Sequence, residues 1–105
     1  MPAPHRADVW WADVPGDQSR PVLILTRERF IGPLASVLVA PLTTTVRGIP
    51  TEVVFRPEDG LPRTCAANFD NLLTLRKERL REFIVHSPPD RLEEICRAYR
   101  FAAGC

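Results

Sequence analysis

The sequence has few of the groups that common enzyme families use for catalysis. It contains only two histidines, His5 and His86, which are far apart in the chain. No HExxH, GxSxG or glycine-rich phosphate-binding motif occurs, so the usual patterns of zinc peptidases, serine hydrolases and nucleotide-binding proteins are absent. Carboxylates are scattered and form no tight cluster of the kind that binds magnesium. If the protein is an enzyme, we expect it to work without a metal or another cofactor.

Cysteines and long apolar segments are also scarce. The three cysteines, Cys65, Cys96 and Cys105, are odd in number, widely spaced and without a CxxC pair. This spacing argues against a disulfide framework and against a zinc site. The apolar runs are of strand length and the N-terminus is polar and proline-rich, so we expect neither a membrane span nor a signal peptide. These features together favour a cytoplasmic protein.

Lysine is almost missing, and arginine carries nearly all of the positive charge. Of the 14 basic residues only Lys77 is a lysine, and 13 acidic residues leave a net charge of +1. A net charge so close to zero neither requires nor excludes an anionic partner, because anion binding depends on the local clustering of charges and not on their sum. Arginine is suited to bidentate contacts with phosphate, although a general compositional bias explains the excess equally well.

Frequent chain breaks point to short strands. With 11 prolines and 5 glycines in 105 residues, the chain favours a β-rich domain over long helices. We predict one domain, residues 1–105, with a strongly bent antiparallel sheet and a loop at 27–35. One helix is predicted from an N-cap at Ser87 to Gly104, with a brief strand at 82–85 before it. Its apolar face consists of Leu92, Ile95, Cys96 and Tyr99. The other predicted strands are 8–14, 21–26, 36–42, 50–56 and one or two within 64–75.

Two strand ends carry polar groups that could bind an anion. Arg20 precedes Pro21, which favours an extended backbone and a guanidinium at the mouth of the second strand. Thr43 follows the third strand and begins a run of three threonines. The residues alone leave open whether these are a phosphate site or, as is common, a surface cation and turn-forming threonines.

Three segments resemble the MazF/PemK (Kid) family of toxin endoribonucleases. In chain order they read DVWWADVPG with SRPVLILT, then VLVAPLTTTVRGIPTEVVF, then CAANFDNLLTL. The resemblance implies an SH3-like barrel of short antiparallel strands with a C-terminal helix. It also implies a homodimer that cuts single-stranded RNA and is inhibited by an acidic, MazE-like antitoxin. Two departures are that Ala7 replaces a glycine that the family favours and that the turn after the first strand is short.

The same resemblance implies a set of site residues. Arg20 matches the arginine before proline and Thr43 the hydroxyl residue after the third strand, both catalytic in the family. Asp70, in the later acidic–amide pair, is a candidate for the proton acceptor, whose identity the sequence leaves open. Asn68 stands where some relatives have an arginine. RNA contacts are expected from loop and strand-end residues: Arg27, Arg29, Thr44, Arg47, Asn68 and Asn71.

Two other functions remain open at this stage. One is a non-enzymatic toxin of the CcdB-like, gyrase-poisoning kind on the same barrel, although the chain ends in FAAGC and lacks the aromatic–glycine end of that helix. The other is an SH3-like module that binds peptide or RNA without cutting it. One of the adjacent tryptophans, Trp10 or Trp11, is expected in the core, and the other could stack on a base or contact a partner.

Overall fold

A computed structural model of the protein describes residues 3–105 and consists mainly of one curled antiparallel sheet. The strands follow the order β4-β5-β3-β2-β1-β7, and β6 also pairs with β3. Two helices are present, α1 (Glu28–Ile31) and α2 (Arg91–Ala103). The strands are β1 (Asp8–Asp13), β2 (Ser19–Ile24), β3 (Ser36–Thr43), β4 (Glu52–Phe55), β5 (Cys65–Asn68), β6 (Leu73–Arg76) and β7 (Leu80–His86). The predicted β-rich fold with a C-terminal helix is confirmed.

Strand β3 is the element around which the sheet bends. One of its edges pairs with β2, and its other edge is shared between two strands. The first half, from Ser36 to Val39, pairs with β6, while Leu42 and Thr43 pair with β5. Because β5 and β6 pair with successive parts of the same edge of β3, the sheet curls into a half-barrel instead of remaining flat.

Apolar side chains fill both faces of the central strands. On β2, Leu23 packs in a cluster under helix α2, whereas Val22 and Ile24 pack in a second cluster with Trp10. All three side chains are fully buried. A strand with consecutive buried residues is the expected outcome for a continuous apolar run. Helix α2 closes the first cluster with Ile95 and Ala98.

The helix begins later than the sequence predicts. Ser87 is not its N-cap: its backbone N–H donates to the carbonyl of Ala7 at 2.9 Å, and Asp90 occupies the cap position. Proline disfavours helical geometry in the residue before it, so Pro88 and Pro89 keep this segment out of the helix. The predicted end at Gly104 is confirmed by its left-handed conformation.

Three other predictions need correction. The segment 27–35 is not only a loop, because it contains helix α1. The strand predicted at 82–85 extends over Leu80–His86, since it pairs with β1 along most of that strand. On α2 the fully buried residues are Ile95 and Ala98, whereas Tyr99 is exposed. The face of the helix that contacts the sheet is therefore rotated by about one residue from the predicted apolar face. Within residues 3–105, no helix has the length and apolar character needed to span a membrane.

The carboxylate of Asp8 joins three parts of the chain. It is buried, with an exposed fraction of 2%. One oxygen accepts from the backbone N–H of His5 at 2.8 Å and from the indole N–H of Trp10 at 3.1 Å. The other oxygen lies 2.7 Å from Nδ1 of His86. The N-terminal segment, β1 and the end of β7 are thus connected through one buried charge.

Asp8→Ala should lower the free energy of unfolding by about 2–3 kcal/mol, because it removes hydrogen bonds to a charged group and leaves the buried Trp10 N–H unpaired. Urea denaturation monitored by circular dichroism measures this loss. Asp90→Ala is the matched control, since Asp90 is exposed and makes no side-chain capping bond; we expect less than about 0.5 kcal/mol. Equal losses in the two variants would contradict this role of Asp8.

A second polar contact attaches the N-terminal segment to α1. Nδ1 of His5 lies 2.8 Å from Oε2 of Glu28, whose other oxygen accepts from the backbone N–H of Arg6 at 2.9 Å. The hydrogen bond to Glu28 raises the pKa of His5 above 6.5. The bonds from Arg6 and then His5 lower the pKa of Glu28 below 4.5.

These directions define the pH range of the contact. The stabilisation from His5 is complete below pH 6.5 and is lost as the pH rises through its folded-state pKa. The stabilisation from Glu28 is present above pH 4.5 and is lost as the pH falls through its folded-state pKa. We expect Glu28→Gln to lower the pKa of His5 toward its ordinary value in an NMR titration. Glu93→Gln, on the far helix, should leave it unchanged; a drop in the control instead would refute the contact.

Candidate active site

A cleft of about 340 Å³ lies where the polar ends of β2 and β3 meet. Its walls come from three parts of the fold. Trp11 belongs to β1, while the β2 end and the β3 end supply Arg20 and Thr43. The connection between β4 and β5 closes the other side. That connection contributes Leu61, Pro62 and Arg63, with Cys65 at the start of β5.

The strand register explains why Arg20 and Thr43 converge. In the β2–β3 ladder Val22 is paired with Pro41. Continuing this antiparallel register by two positions places Arg20 opposite Thr43. Nη1 of Arg20 lies 3.5 Å from the carbonyl oxygen of Leu42, the residue before Thr43. The structure therefore brings together the two residues that the sequence selects at separate strand ends.

The guanidinium of Arg20 is held from one side. Its Nη2 lies 3.0 Å from Oδ2 of Asp17, in the turn between β1 and β2. Its Nε is buried and has no hydrogen-bond partner among the described residues. The side chain is only 26% exposed, so burial and Asp17 restrict its position. Because Nε is buried, a phosphate in the cleft can reach only the two terminal nitrogens, whose planar geometry is suited to a bidentate contact.

The turn that carries Asp17 is anchored at both ends. Asp13 accepts a hydrogen bond from the hydroxyl of Ser19 at 2.9 Å and pairs with Arg81. The hydrogen bonds from Ser19 and Arg81 lower the pKa of Asp13 below its ordinary value. The carboxylate therefore stays ionised and keeps β1, β2 and β7 joined beside the cleft.

Several lining residues have no signal strong enough to be found from the sequence. Leu61, Pro62 and Arg63 read only as a turn after Asp59-Gly60, and nothing local indicates that this turn folds over β3. Cys65 is buried at 5% exposure, and burial raises the pKa of its thiol. A neutral thiol of this kind is a poor nucleophile, so Cys65 is a packing residue at the floor of the cleft.

Asp70 lies outside this cleft. It is exposed, and its Oδ2 accepts from the hydroxyl of Thr51 at 2.7 Å. Asn68 is buried, and its Oδ1 accepts from the backbone N–H of Asp70 at 2.8 Å, which caps the short 3₁₀ turn Phe69–Asn71. Asn71 is exposed in the same turn. Asn68 is the last residue of β5 and the other two follow it, whereas the cleft is at the start of β5, so these three residues do not line the cleft with Arg20.

The other predicted RNA-binding residues are distributed over two surfaces. Thr44 lines the cleft. Arg47 is exposed in the loop after β3, and its backbone N–H donates to Glu52 at 3.0 Å. Arg27 and Arg29 belong to the α1 region, where their guanidinium carbons lie 4.5 and 5.5 Å from the centre of the Phe30 ring. Arg27 lines a separate groove beside α2, so the α1 arginines are not part of the Arg20 cleft.

No metal centre is evident in the part of the chain that the structure describes. Among residues 3–105, His, Cys, Asp and Glu side chains form no group of three or more that could hold a metal ion. The residues that line the cleft carry hydroxyl, guanidinium and apolar groups, with one amide from Gln18 and one buried thiol from Cys65. Such a set can bind and orient an anion, and it offers no carboxylate or imidazole ligand for a divalent cation.

Comparison with known proteins gives a consistent result across nearly the whole chain. The family described as PemK-like, MazF-like toxin of type II toxin–antitoxin system matches residues 5–102. The chain is 39% identical to "Probable endoribonuclease MazF2" of Mycobacterium tuberculosis over 102 residues, which are 96% of this chain and 99% of that protein. It is 37% identical to "Probable endoribonuclease MazF5" of the same organism, covering 97% and 94%.

Solved structures agree with this assignment. The structure titled "Mycobacterium tuberculosis toxin MazF-mt6" superposes with a TM-score of 0.86 at 35% identity, covering 92% of this chain and 96% of that one. A mycobacterial endoribonuclease solved in complex with its cognate antitoxin superposes with a TM-score of 0.85 at 34% identity, covering 97% and 96%. The resemblance predicted from three sequence segments is confirmed: the chain belongs to the PemK-like, MazF-like family of toxins of type II toxin–antitoxin systems.

Proposed function

We propose that this protein is the toxin of a type II toxin–antitoxin pair and acts as an endoribonuclease on single-stranded RNA without a metal. The observation that carries the proposal is the convergence of Arg20 and Thr43 on one cleft. Relatives over nearly the full length are named endoribonucleases, which supports the same activity here. Growth arrest in the cytoplasm would follow from cutting cellular RNA.

The proposed reaction is an in-line attack within the RNA itself. The 2′-hydroxyl oxygen of the ribose bonds to the adjacent phosphorus, and its proton passes to a base. The bond from phosphorus to the 5′ oxygen of the next nucleotide breaks, and that oxygen takes a proton. The products are a 2′,3′-cyclic phosphate and a free 5′-hydroxyl. Such a reaction depends on positioning and on stabilising charge at the non-bridging oxygens.

Arg20 is assigned to the phosphate charge. A guanidinium keeps its positive charge at neutral pH, so Arg20 stabilises charge and does not transfer protons. Asp17 and burial hold the fork before substrate arrives, which limits reorganisation in the transition state. Thr43 is assigned to hydrogen-bonding a phosphate oxygen, which helps to fix the bent backbone needed for in-line attack.

The identity of the proton acceptor stays a prediction, and the contacts of Arg20 add a second candidate to Asp70. Asp70 bonds Thr51 and lies outside the cleft. Asp17 is the carboxylate in contact with Arg20, at 3.0 Å. Asp17 does not line the cleft either, but its pairing with Arg20 would place it next to a phosphodiester bound there. We assign Asp17 as the candidate base, since geometric reach is the first requirement for that role.

The proposed partners follow from the family and from the exposed surface. A related toxin has been solved with its cognate antitoxin, and we propose a MazE-like antitoxin for this chain. We also propose a homodimer. Large apolar side chains are exposed after α1, on β7 and on α2, namely Leu34, Phe83, Tyr99 and Phe101. Exposed apolar groups of this size are available for contacts with another protein chain.

Arg20→Ala should reduce RNA cleavage in EDTA by at least about a hundredfold, because it removes a preorganised charge donor. Arg20→Lys should restore little, since a lysine keeps the charge but loses the planar fork. Thr43→Ala should show a smaller loss. Gel assays on a mixed RNA pool, with 5′-end sequencing of the fragments, measure these effects.

The matched control for that experiment is Arg97→Ala, because Arg97 is an exposed arginine that pairs only with Glu93 on α2. It should cut RNA at the wild-type rate. If Arg20→Ala cleaves RNA at the wild-type rate, the proposed catalytic centre is refuted. An intact RNA profile together with growth arrest by the wild-type protein would instead indicate a toxin that acts by binding a protein.

Asp17→Asn and Asp70→Asn separate the two candidate bases. If Asp17 accepts the 2′-hydroxyl proton, Asp17→Asn should lower the rate of RNA cleavage by about a hundredfold or more. Asp70→Asn should leave the rate unchanged. The reverse pattern, with Asp70 essential and Asp17 dispensable, would show that the chain rearranges around bound RNA and would refute the assignment of Asp17.

A further inference from the structure

We propose that Trp11 forms a nucleobase-stacking subsite beside Arg20, so that the cleft holds a phosphate at one end and a base at the other. The proposal rests on the proposed function, because it concerns how the same cleft binds RNA. It adds a contact to the base itself, which neither the catalytic pair nor the loop arginines are assigned to make. The ligand class is a single-stranded oligonucleotide with unpaired bases.

The two adjacent tryptophans of β1 have different environments. Trp10 is 1% exposed, donates to Asp8 and packs edge-on against Phe83. Trp10 is therefore a core residue and is not available to a ligand. Trp11 projects from the opposite face of the strand, is only partly buried and lines the cleft. Part of the indole is thus accessible in the cleft that Arg20 also lines.

The register places Trp11 on the strand next to the one that carries Arg20. Trp11 is paired with Pro21 across the β1–β2 ladder, and Arg20 is the residue before Pro21. With strands about 4.8 Å apart and a rise of about 3.3 Å per residue, the Cα atoms of Trp11 and Arg20 are roughly 6 Å apart. Both residues also line the same cleft, so a nucleotide whose phosphate contacts Arg20 can extend its base toward Trp11.

The opposite wall suits a flat apolar ligand that carries negative charge. Leu61 and Pro62 supply apolar surface facing the cleft, and Arg63 stands at its edge. No salt bridge among residues 3–105 involves Arg63. The cleft volume of about 340 Å³ falls within the range of roughly 300–1,000 Å³ typical of ligand pockets. No lining residue described by the structure is acidic, so a base linked to phosphates fits better than an unphosphorylated aromatic side chain.

The experiment separates stacking from charge with three DNA hexamers of equal charge: hexathymidylate, hexaadenylate and an abasic hexamer. DNA lacks the 2′-hydroxyl, so binding is measured without cleavage by fluorescence anisotropy. The wild-type protein should bind both base-containing hexamers about five- to a hundredfold more tightly than the abasic one. In Trp11→Leu this preference should disappear, while affinity for the abasic hexamer stays unchanged.

Two further variants act as controls. Trp11→Phe keeps an aromatic ring and should retain much of the preference, which guards against a misfolded leucine variant. Arg63→Gln should weaken binding of all three hexamers by the same factor and reduce the dependence on salt, as expected for a phosphate contact. Equal binding of all hexamers by the wild-type protein, or a preference that survives in Trp11→Leu, would overturn the subsite.

Failure of this proposal can be distinguished from failure of the proposed function. Cleavage of mixed RNA by the wild-type protein is assayed in parallel and does not depend on the hexamers. If the protein cuts RNA but binds the abasic hexamer and hexathymidylate with equal affinity, the proposed function stands and the stacking subsite is refuted. If the preference for base-containing hexamers depends on Trp11 but no RNA is cut, the subsite stands as a binding site and the nuclease proposal is refuted.

Discussion

The antiparallel register between β2 and β3 is the constraint on which the proposed centre depends. Val22, Leu23 and Ile24 are buried on both faces of the sheet and pair with Pro41, Ala40 and Val39. A shift of one residue would move every apolar side chain to the opposite face. The apolar core therefore fixes the register, and the register places Arg20 opposite Thr43. Chemistry at the polar ends of the strands is determined by packing in their middle.

Charge is used in two different ways in this small domain. Structural charges are buried or paired: Asp8 joins the N-terminal segment to β1 and β7, and Arg91 donates to the carbonyl of Val54 while pairing with Asp59. In the cleft, by contrast, Arg20 and Arg63 line a surface to which no acidic residue of the described chain contributes. A net charge of +1 conceals this separation. Local arrangement, and not the total, creates a site for phosphate.

The proposed site joins three kinds of contact that RNA needs. A guanidinium and a hydroxyl address the phosphate, Asp17 lies next to the guanidinium, and Trp11 offers a face to a base. Each comes from a different element, since β1, the turn after it, β2 and β3 all contribute. The curl of the sheet brings these elements together, which explains how 105 residues can form both a core and a cleft.

Local patterns in the sequence determined the strands, the late helix and the two strand-end residues Arg20 and Thr43. Consecutive apolar residues, proline-restricted geometry and ordered family-like segments are short-range features that a sequence displays directly. Proline also explains the error at Ser87, where two prolines delay the helix to Arg91. The placement of Asp70, Asp17, Trp11 and Arg63 was decided only by tertiary structure. Which residues face one cleft depends on how the sheet curls and where the β4–β5 connection folds, and those are contacts between residues far apart in the chain.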